Sequence, residues 1–413
     1  MKLLLLSSHY PPDLSAGSFR ASALVDALLR VGGEKIEIDV LTAHPHRYRS
    51  YNAVTTALGA QVERRGAVAV TRLPIRRHNN GLADRALAFP AFAARALREA
   101  RRKRYDVVVA TTSRLLTGYL GSVIARRMAV PYYLDVRDLF VHNLRGMLRS
   151  APSVSALLPI LSALERSTFQ RATRVNLVSE GFLDYCRERY PRCEYSLYGN
   201  GIDREFLEYD FSKPAPESGP KIILYAGNIG LGQGLDRVVP EAARRLGPDF
   251  HFRIIGDGGR RAALEQALRE ARVDNVTVLG PVDREALKKE YRNADFLLLH
   301  LNDYPALECV VPSKLFEYAA TGKPILAGVR GHPRHFISNE VDGAVTFEPA
   351  DAADLADAAR SLTPERHDRE RFKVRFSRER LMDKMASDIL EAASAARTGE
   401  TPNPAESATV ERW

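Results

Sequence analysis

Short runs of aliphatic and β-branched residues alternate with helical stretches along this chain, in two successive series. The first series predicts strands at Leu3–Leu6, Ile36–Thr42, Val68–Leu73, Val107–Thr111, Tyr132–Val136 and Val175–Ser179. The second runs from Ile222–Ala226 to Ala344–Phe347. Because strands that alternate with crossover helices pair in parallel, each series predicts an α/β domain with a doubly wound parallel sheet.

The length of 413 residues suits two such domains. The turn at residues 200–203 and the Pro- and Ser-rich stretch 210–220 indicate the boundary. We therefore predict a first domain over 1–203 and a second over 204–375. A helix over 376–392 is expected to cross back to the first domain, before a disordered tail over 393–413. Ligands of doubly wound domains bind at the carboxyl ends of the strands, so a cleft faced by both domains is expected.

The composition excludes several classes of protein. Three cysteines without zinc-like spacing do not form a disulfide framework and favour a reducing, cytoplasmic location. No apolar run is long enough to span a membrane, and Leu3–Leu6 is too short for a signal peptide. Residues 1–200 contain 30 Lys and Arg against 16 Asp and Glu, whereas the remainder is mildly acidic. The basic half indicates either an anionic partner or a compositional bias.

The stretch from Pro312 to Pro324 carries the most functional information. A Pro-Ser pair at a helix start is followed by Lys314, by Glu317 one turn in, and by a Gly-Lys-Pro stop. The N-terminus of a helix offers free N–H groups and a partial positive charge to a phosphate. A carboxylate one turn deeper can accept hydrogen bonds from ribose hydroxyls, so the pattern predicts a nucleotide-sugar site.

Several motifs together resemble those of the GT-B glycosyltransferases of family 4, over about residues 1–390. They are Asn200-Gly201-Ile202-Asp203, Ile255-Gly256-Asp257-Gly258, Leu279-Gly280 and Pro312-Ser313-Lys314-Leu315-Phe316-Glu317-Tyr318 before Gly322-Lys323-Pro324. The resemblance implies a GT-B fold with two Rossmann-like domains facing a cleft. It also implies transfer of a sugar with retention of its anomeric configuration, which is the mechanism of most enzymes of this family. The branch that the chain resembles most acts in bacterial O-antigen, capsule and exopolysaccharide assembly.

The family's residues carry over unevenly to the second domain. Glu317 matches the second of two glutamates and is expected on the donor's ribose. The first glutamate falls on Cys309, with Glu308 one residue away, so backbone N–H groups near Val311 are expected to serve the donor instead. Ser313 and Lys314 complete the expected donor site.

The glycine-rich loop 227–234 departs from the family pattern as well. Asn228 and Gln233 occupy the places of a phosphate-binding Arg and Lys. The glycines, including Gly227, allow backbone N–H groups to approach a diphosphate. Lys314, Arg20 and Arg260 are candidates for the missing positive charge. The alternative for this loop is that its glycines only make it flexible and bind no phosphate. Asp257 has either a turn role or a contact with the donor base.

In the first domain, the resemblance places the loop with Gly17 and Arg20 beside the diphosphate and acceptor. Arg20 is alternatively a solvated helix charge. Arg137 and Asp138 replace the His-Asp pair of many relatives. Arg137 is a candidate for stabilising negative charge, and Asp138 for orienting or deprotonating an acceptor hydroxyl. A structural ion pair between the two is the alternative.

These observations predict a retaining hexosyl- or N-acetylaminosugar transferase. Its donor would be UDP- or GDP-linked, and its acceptor a lipid-linked or growing glycan. No metal is expected, since no Asp-x-Asp ends a strand, and no cofactor or nucleic acid is expected. The basic amphipathic stretches 82–104 and 144–169 favour peripheral binding at the inner face of the membrane, or packing on the sheet. A GT-B protein that binds a nucleotide sugar without turnover is the alternative.

Overall fold

A computed structural model describes residues 1–13, 15–44, 60–74, 82–112, 115–147, 157–212 and 219–398. The chain forms two compact units. The first comprises residues 1–200 and those from Glu379 onward, and the second residues 201–378. Each unit contains its own sheet, in which neighbouring strands are parallel with one exception. The predicted α/β class and the doubling of the architecture are confirmed.

The sheet of the first unit has eight strands in the order β3-β4-β2-β1-β5-β6-β7-β8. Their bounds are β1 Lys2–Ser7, β2 Glu37–Ala43, β3 Gln61–Arg65, β4 Val68–Leu73, β5 Val107–Thr112, β6 Tyr132–Val136, β7 Arg174–Leu177 and β8 Tyr195–Leu197. Four leucines of β1 are fully buried, as expected for a central strand covered on both faces. This strand is therefore part of the core, as the sequence predicts.

Strand β3 was not predicted, because its sequence Gln-Val-Glu-Arg-Arg lacks an apolar face. It pairs antiparallel with β4 at the edge of the sheet, and all five residues are exposed. Charged side chains on an edge strand discourage pairing with other chains. The last strand, β8, is only three residues long and also lies outside the predicted set.

Four helices of the first unit match stretches whose sequence predicts a helix, at about Phe19–Arg30, Ala86–Arg102, Leu116–Met128 and Ser155–Phe169, whereas the helices at Phe140–Met147 and Leu183–Arg189 were not predicted. The described helices that precede the boundary are α1 Ala16–Gly32, α2 Leu82–Ala100, α3 Leu115–Met128, α4 Phe140–Met147, α5 Leu158–Gln170 and α6 Leu183–Arg189. In the basic helix α2, Phe92, Ala96 and Ala100 are buried, which matches packing on the protein core. In and beside α5, Leu157 and Ile160 remain more than half exposed. Among the helices within the described ranges, none is long and apolar enough to cross a membrane.

The second unit contains six parallel strands in the order β11-β10-β9-β12-β13-β14. The strands are β9 Lys221–Asn228, β10 Phe250–Asp257, β11 Val276–Leu279, β12 Phe296–His300, β13 Ile325–Gly328 and β14 Ala344–Phe347. The helices are α7 Arg204–Leu207, α8 Leu235–Leu246, α9 Arg261–Ala271, α10 Arg284–Asn293, α11 Ser313–Ala320, α12 His332–Glu340, α13 Ala352–Ser361 and α14 Glu370–Arg375. Helices α7, α12, α13 and α14 were not among the predictions.

The units divide slightly earlier than the sequence suggests, between Asn200 and Gly201. The chain enters and leaves the second unit side by side, since Ile202 bridges Ser377. Gly201 has φ +70°, and a Cβ there would lie 2.7 Å from Arg378 Cα, so this close approach requires glycine. Phe206 and Phe211 are buried and belong to the second unit. Phe206 precedes the Pro- and Ser-rich stretch 210–220, and Phe211 lies near its start.

The C-terminal helix α15 spans Arg378–Thr398 and packs in the core of the first unit, as predicted. Met382, Met385 and Ile389 are fully buried with residues of β1 and α1. The helix continues past Ala392, where the disordered tail was expected to begin. Ala393 is fully buried, and this contact extends the helix; residues 399–413 lie outside the described residues.

In both units the order of the strands reverses next to the first strand of the series. Strand β1 lies between β2 and β5, and β9 lies between β10 and β12. The loops that leave the carboxyl ends of these strands flank a crevice at the reversal, where ligands of doubly wound sheets bind. The loop after β1, of which residues 8–13 and 15 are described, occupies this position in the first unit, and the loop at 228–234 occupies it in the second.

Candidate functional site

The last residues of β9, where the glycine-rich loop 227–234 begins, approach the start of helix α11 closely. Gly227 has φ +153°, and a Cβ at this position would lie 2.8 Å from Lys314 Nζ. Any side chain there would displace the lysine. Gly227 therefore allows Lys314 to lie directly on the backbone of the loop.

The two amides that replace basic residues in this loop bind each other. Asn228 Nδ2 donates to Gln233 Oε1 at 2.8 Å, and this contact leaves no room for a side chain at Gly230. The loop is held further by Tyr225, whose hydroxyl donates to the Asn228 carbonyl at 2.6 Å. The loop has a defined shape with no charge of its own, which disfavours the interpretation of simple flexibility.

Helix α11 begins directly after Pro312, whose extended backbone turns the chain into the helix without a side-chain cap. The first N–H groups of an α-helix have no partner within the helix. Ser313 and Lys314 occupy the first two helical positions, and both side chains are partly exposed. This end of the helix retains the donors and the partial positive charge that favour an anion.

Lys314 is the unusual cation of this site. No hydrogen bond or carboxylate partner of its ammonium occurs among the residues the structure describes. The nearest ring is that of Tyr318, whose centroid is 5.8 Å from Nζ. Burial lowers the pKa of Lys314, and the charge of Glu317 opposes this effect. A partly buried ammonium that forms no salt bridge with a carboxylate among the described residues favours binding of an anion.

Glu317 is held in place by a tyrosine from a neighbouring helix. The buried Tyr291 hydroxyl donates to Glu317 Oε2 at 3.1 Å, and Tyr291 packs edge-on against Tyr318 at 5.4 Å. Glu317 itself remains partly exposed. One carboxylate oxygen is thus fixed by the protein, and the partly exposed carboxylate can accept hydroxyl groups from a ligand.

The other predicted donor-binding residues of this unit have mixed placements. Val311 is 5% exposed, so only its backbone can serve a donor, and the neighbouring Val310 N–H already donates to Leu307 O at 3.3 Å. Asp257 is exposed, and its Oδ1 accepts from the Gly258 N–H at 2.8 Å. This contact matches the turn role. The donor-binding roles of Gly227, Asn228, Gln233, Asp257, Val311, Ser313, Lys314 and Glu317 stay predictions.

The two other candidates for the missing charge are occupied elsewhere. Arg260 forms an ion pair with Asp236. Arg20, on the first turn of α1, is fully buried. Its Nε and Nη2 donate to the two oxygens of Asp135 at 2.9 Å each, and its other contacts include the carbonyls of Tyr198 and Gly199. The structure therefore contradicts both predictions for Arg20, as a donor-binding residue and as a solvated charge.

In the first unit, Arg137 and Gly17 are brought together at the carboxyl edge of the sheet. A Cβ on Gly17 would clash with Arg137 Nη1, so the guanidinium lies against the start of α1. Asp138 follows directly. Asp138 is exposed, yet desolvation by the protein around its carboxyl raises its pKa to about 6, against the charge of Arg137. The charges of these two neighbours interact, and both the catalytic roles and the structural ion pair stay predictions.

Two further groups at these loops were not predicted as site residues. His9 Nδ1 contacts Asp13 Oδ2 at 2.9 Å in the loop after β1, and Asp13 is buried. His300, the last residue of β12, is almost fully buried. Its Nδ1 contacts Gln233 O at 2.5 Å and its Nε2 accepts from the Ala350 N–H at 2.9 Å, so it ties the glycine-rich loop to the start of α13. Burial lowers the pKa of His300 to about 4.

No group of three or more His, Cys, Asp or Glu side chains within the described ranges is arranged to hold a metal ion. The expectation of a metal-independent reaction stays a prediction. Two acidic residues that follow the glycine-rich loop and β12 are paired with arginines: Asp236 with Arg260, and Asp303 with Arg330.

Comparisons with known proteins cover nearly all of the chain. The family described as "Glycosyl transferases group 1" matches residues 208–376, and "Glycosyl transferase 4-like domain" matches residues 20–196. The putative colanic acid biosynthesis glycosyl transferase WcaI of Escherichia coli is 24% identical over 337 residues, which cover 78% of this chain and 82% of WcaI. A 2-deoxystreptamine glucosyltransferase of Streptomyces kanamyceticus is 25% identical over 288 residues, covering 64% and 71%.

Solved structures share the fold at low sequence identity. Sucrose-phosphate synthase of Thermosynechococcus elongatus superposes with a TM-score of 0.74 at 18% identity, over 96% of this chain and 100% of that one. HepE of Anabaena, solved in complex with UDP and glucose, superposes with a TM-score of 0.61 at 14% identity, over 97% and 99%. At these identities the likeness establishes the fold of the chain.

Proposed function

The chain belongs to the GT-B glycosyltransferases of family 4, and on this premise we propose that it transfers a sugar, with retention, from a nucleotide-diphosphate donor. The donor would be UDP- or GDP-linked. The acceptor would be the hydroxyl of a lipid-linked or growing glycan in bacterial cell-surface polysaccharide assembly. The colanic acid role in the name of the E. coli relative supports this setting.

One observation carries the proposal: Lys314 and Glu317 lie on successive turns of α11, beside the loop that bears Gly227. A diphosphate at the first turn would meet the helix N–H groups and the ammonium of Lys314. Its ribose would meet Glu317. Positive charge placed where negative charge develops on the departing diphosphate stabilises the transition state, and it does so without a metal ion.

The first unit supplies the groups proposed for the acceptor side. Asp138, with its raised pKa, would accept the proton of the acceptor hydroxyl, and Arg137 would stabilise negative charge. A group that works as a base must be deprotonated. Transfer is therefore expected to increase as the pH rises through about 6.

We also propose that the protein acts in the cytoplasm at the inner face of the membrane, as a peripheral protein. Leu157 and Ile160, at the start of α5, are 51% and 59% exposed. Apolar side chains of this kind can enter the interface of an anionic leaflet, especially when the same half of the chain is basic. A lipid-linked acceptor would be found at that surface.

The ribose assignment is tested with Glu317→Ala and Glu317→Gln. Loss of the carboxylate should raise the donor KM by about tenfold or more, since hydrogen bonds to a charged group contribute about 1.5–3 kcal/mol. The control is Glu290→Ala on α10, which removes a carboxylate that forms a salt bridge with Arg253 at 2.6 Å. Unchanged donor affinity in both Glu317 variants would rule out the assignment.

Turnover itself separates the transferase from a binding protein. A pool of nucleotide sugars is incubated with the protein and membrane extract, and the anomeric configuration of any product is read by NMR. A retained configuration supports the proposal, whereas an inverted product contradicts retention. Tight binding of a nucleotide sugar, with neither transfer nor hydrolysis, would favour the alternative without turnover.

A further inference from the structure

The surface just beyond the N-terminus of α11 is apolar where a sugar would lie. The inference rests on the proposed function, in which the ribose meets Glu317 and the diphosphate meets the first helical turn. Those two contacts fix the direction of the donor along the helix axis, because Glu317 lies one turn inside the helix. The sugar then extends past the helix end, over residues 307–311 and the tip of the glycine-rich loop.

The side chains at this surface are aliphatic or weakly polar. Leu231 at the tip of the loop is 45% exposed. The next residue, Gly232, lies close to Leu307, because a Cβ there would be 4.0 Å from Leu307 Cδ1. Cys309 and Val310 follow, both partly exposed, and the Cys309 thiol contacts the Ala306 carbonyl at 3.4 Å. A single exposed leucine is common on protein surfaces; at this position it offers an apolar contact to whatever part of a donor lies beyond the helix end.

The nearby carboxylates are directed to another group. Asp303 Oδ1 is 2.6 Å from Arg330 Nη1. Glu308 packs against Gly331, where a Cβ would lie 2.7 Å from Glu308 Cβ. Glu348, Asp303 and Glu308 all raise the pKa of Arg330, so Glu308 lies within the field of that guanidinium. Asp303 is therefore paired with Arg330, whereas Glu308 interacts with that guanidinium only through its charge.

We propose that the donor sugar carries a methyl group that contacts Leu231 and Cys309, as in a 6-deoxyhexose or an N-acetylated amino sugar. A methyl group gains from contact with an apolar surface, whereas a hydroxyl placed there loses hydrogen bonds to water without replacement. A single methyl or hydroxyl difference in a pocket changes affinity by about tenfold or more. The proposal therefore concerns the class of the sugar and leaves the nucleotide open.

The experiment measures the affinity of the full-length protein for two matched pairs of donors by calorimetry. One pair is UDP-N-acetylglucosamine and UDP-glucose, and the other is GDP-6-deoxymannose and GDP-mannose; UDP and GDP alone serve as references. We expect the methyl-bearing member of at least one pair to bind about tenfold more tightly than its partner. The pair that shows the preference distinguishes the acetyl from the deoxy source of the methyl group.

Variants test whether this surface is the origin of the preference. Cys309→Glu should reduce the preference for the methyl-bearing donor about fivefold or reverse it, because the new carboxylate can accept hydrogen bonds from sugar hydroxyls. Cys309→Gln introduces a side chain of the same size as glutamate without its charge, and it should change the preference less. Leu231→Asn should also reduce the preference. Val374→Asn, at a residue of α14 that is 52% exposed, is the matched control and should leave it unchanged.

Two results would overturn the inference in distinguishable ways. If UDP or GDP binds but the hydroxylated sugars bind as tightly as their methyl-bearing partners, the sugar class is wrong while the nucleotide site stands. If neither the nucleotides nor any of the four donors binds, the proposed function fails together with the inference.

Discussion

The two units use basic residues in opposite ways. In the first unit, which lies in the basic half of the sequence, Arg20 is fully buried and bonded to both oxygens of Asp135. In the second, Lys314 has no carboxylate partner among the described residues and lies on a glycine. Net charge therefore does not locate the anion site. The anion site is located instead by whether a cation forms a salt bridge. An arginine that is paired with a carboxylate stabilises the fold, whereas a lysine without such a salt bridge favours binding of an anionic ligand.

Arg20→Ala should have the largest effect, on stability. Removing one partner of a buried pair leaves the other charged and unsatisfied, which costs about 3–5 kcal/mol of unfolding free energy. Arg30→Ala on the same helix is the control, because its pair with Asp383 is exposed and worth at most about 1 kcal/mol. Urea unfolding measures both. A stable Arg20→Ala protein with weakened nucleotide binding would reverse the comparison between the units.

Lys314→Met should lower nucleotide-diphosphate affinity about 30- to 150-fold, as expected for the loss of a charge-assisted contact of about 2–3 kcal/mol. The free energy of unfolding should not fall, since burial lowers the pKa of Lys314 and thus disfavours its charged form in the folded protein.

Lys323→Met, three residues past the end of α11, is the matched control for Lys314→Met. Lys323 is 4% exposed and its Nζ donates to Ala294 O at 2.6 Å. Its removal should reduce stability by about 1–3 kcal/mol and leave UDP affinity unchanged. Calorimetric titration with UDP, together with urea unfolding, distinguishes the two lysines. Equal losses of affinity would show that Lys314 has no special role.

The units should also differ in their response to acid. His300 has a folded-state pKa of about 4, below its unfolded value, so the unfolded state binds more protons between about pH 6.5 and 4 and stability falls as the pH falls. The cost between pH 7 and 5 is about 2 kcal/mol. Asp135, whose pKa is lowered against its desolvation by the charge of Arg20, remains ionised in this range, and its contribution is lost only below its unfolded pKa.

His300→Asn tests this assignment, because it keeps a donor near the Gln233 carbonyl and removes the titrating ring. The variant should be less stable at pH 7, having lost the bond with the Ala350 N–H. Its stability should fall by about 2 kcal/mol less than that of the parent between pH 7 and 5. Urea unfolding at the two pH values measures the difference, and an unchanged pH dependence would assign the effect to another group.

The same contrast explains what could be predicted from sequence. The alternation of strands and helices is local, so both sheets and α11 were predicted within a few residues. Pro312, Ser313 and the Gly-Lys-Pro stop marked the helix that bears Lys314 and Glu317. The fate of Arg20 could not be predicted, because its partner is 115 residues away and burial depends on tertiary packing. Strand β3 was missed because a charged edge strand has no apolar alternation.

The smallest expected effect concerns the amide pair of the glycine-rich loop. Asn228→Arg would add a second cation beside Lys314 and break the bond to Gln233. We expect UDP to bind about fivefold more tightly, or about 1 kcal/mol, since a charge near the surface gains little in high dielectric. Gln266→Arg, on the exposed side of α9, adds the same charge as a control. If both variants gain equally at 0.15 M salt, about the physiological ionic strength, the gain reflects net charge. A gain confined to Asn228→Arg would place the diphosphate between this loop and α11, where the unpaired lysine already lies.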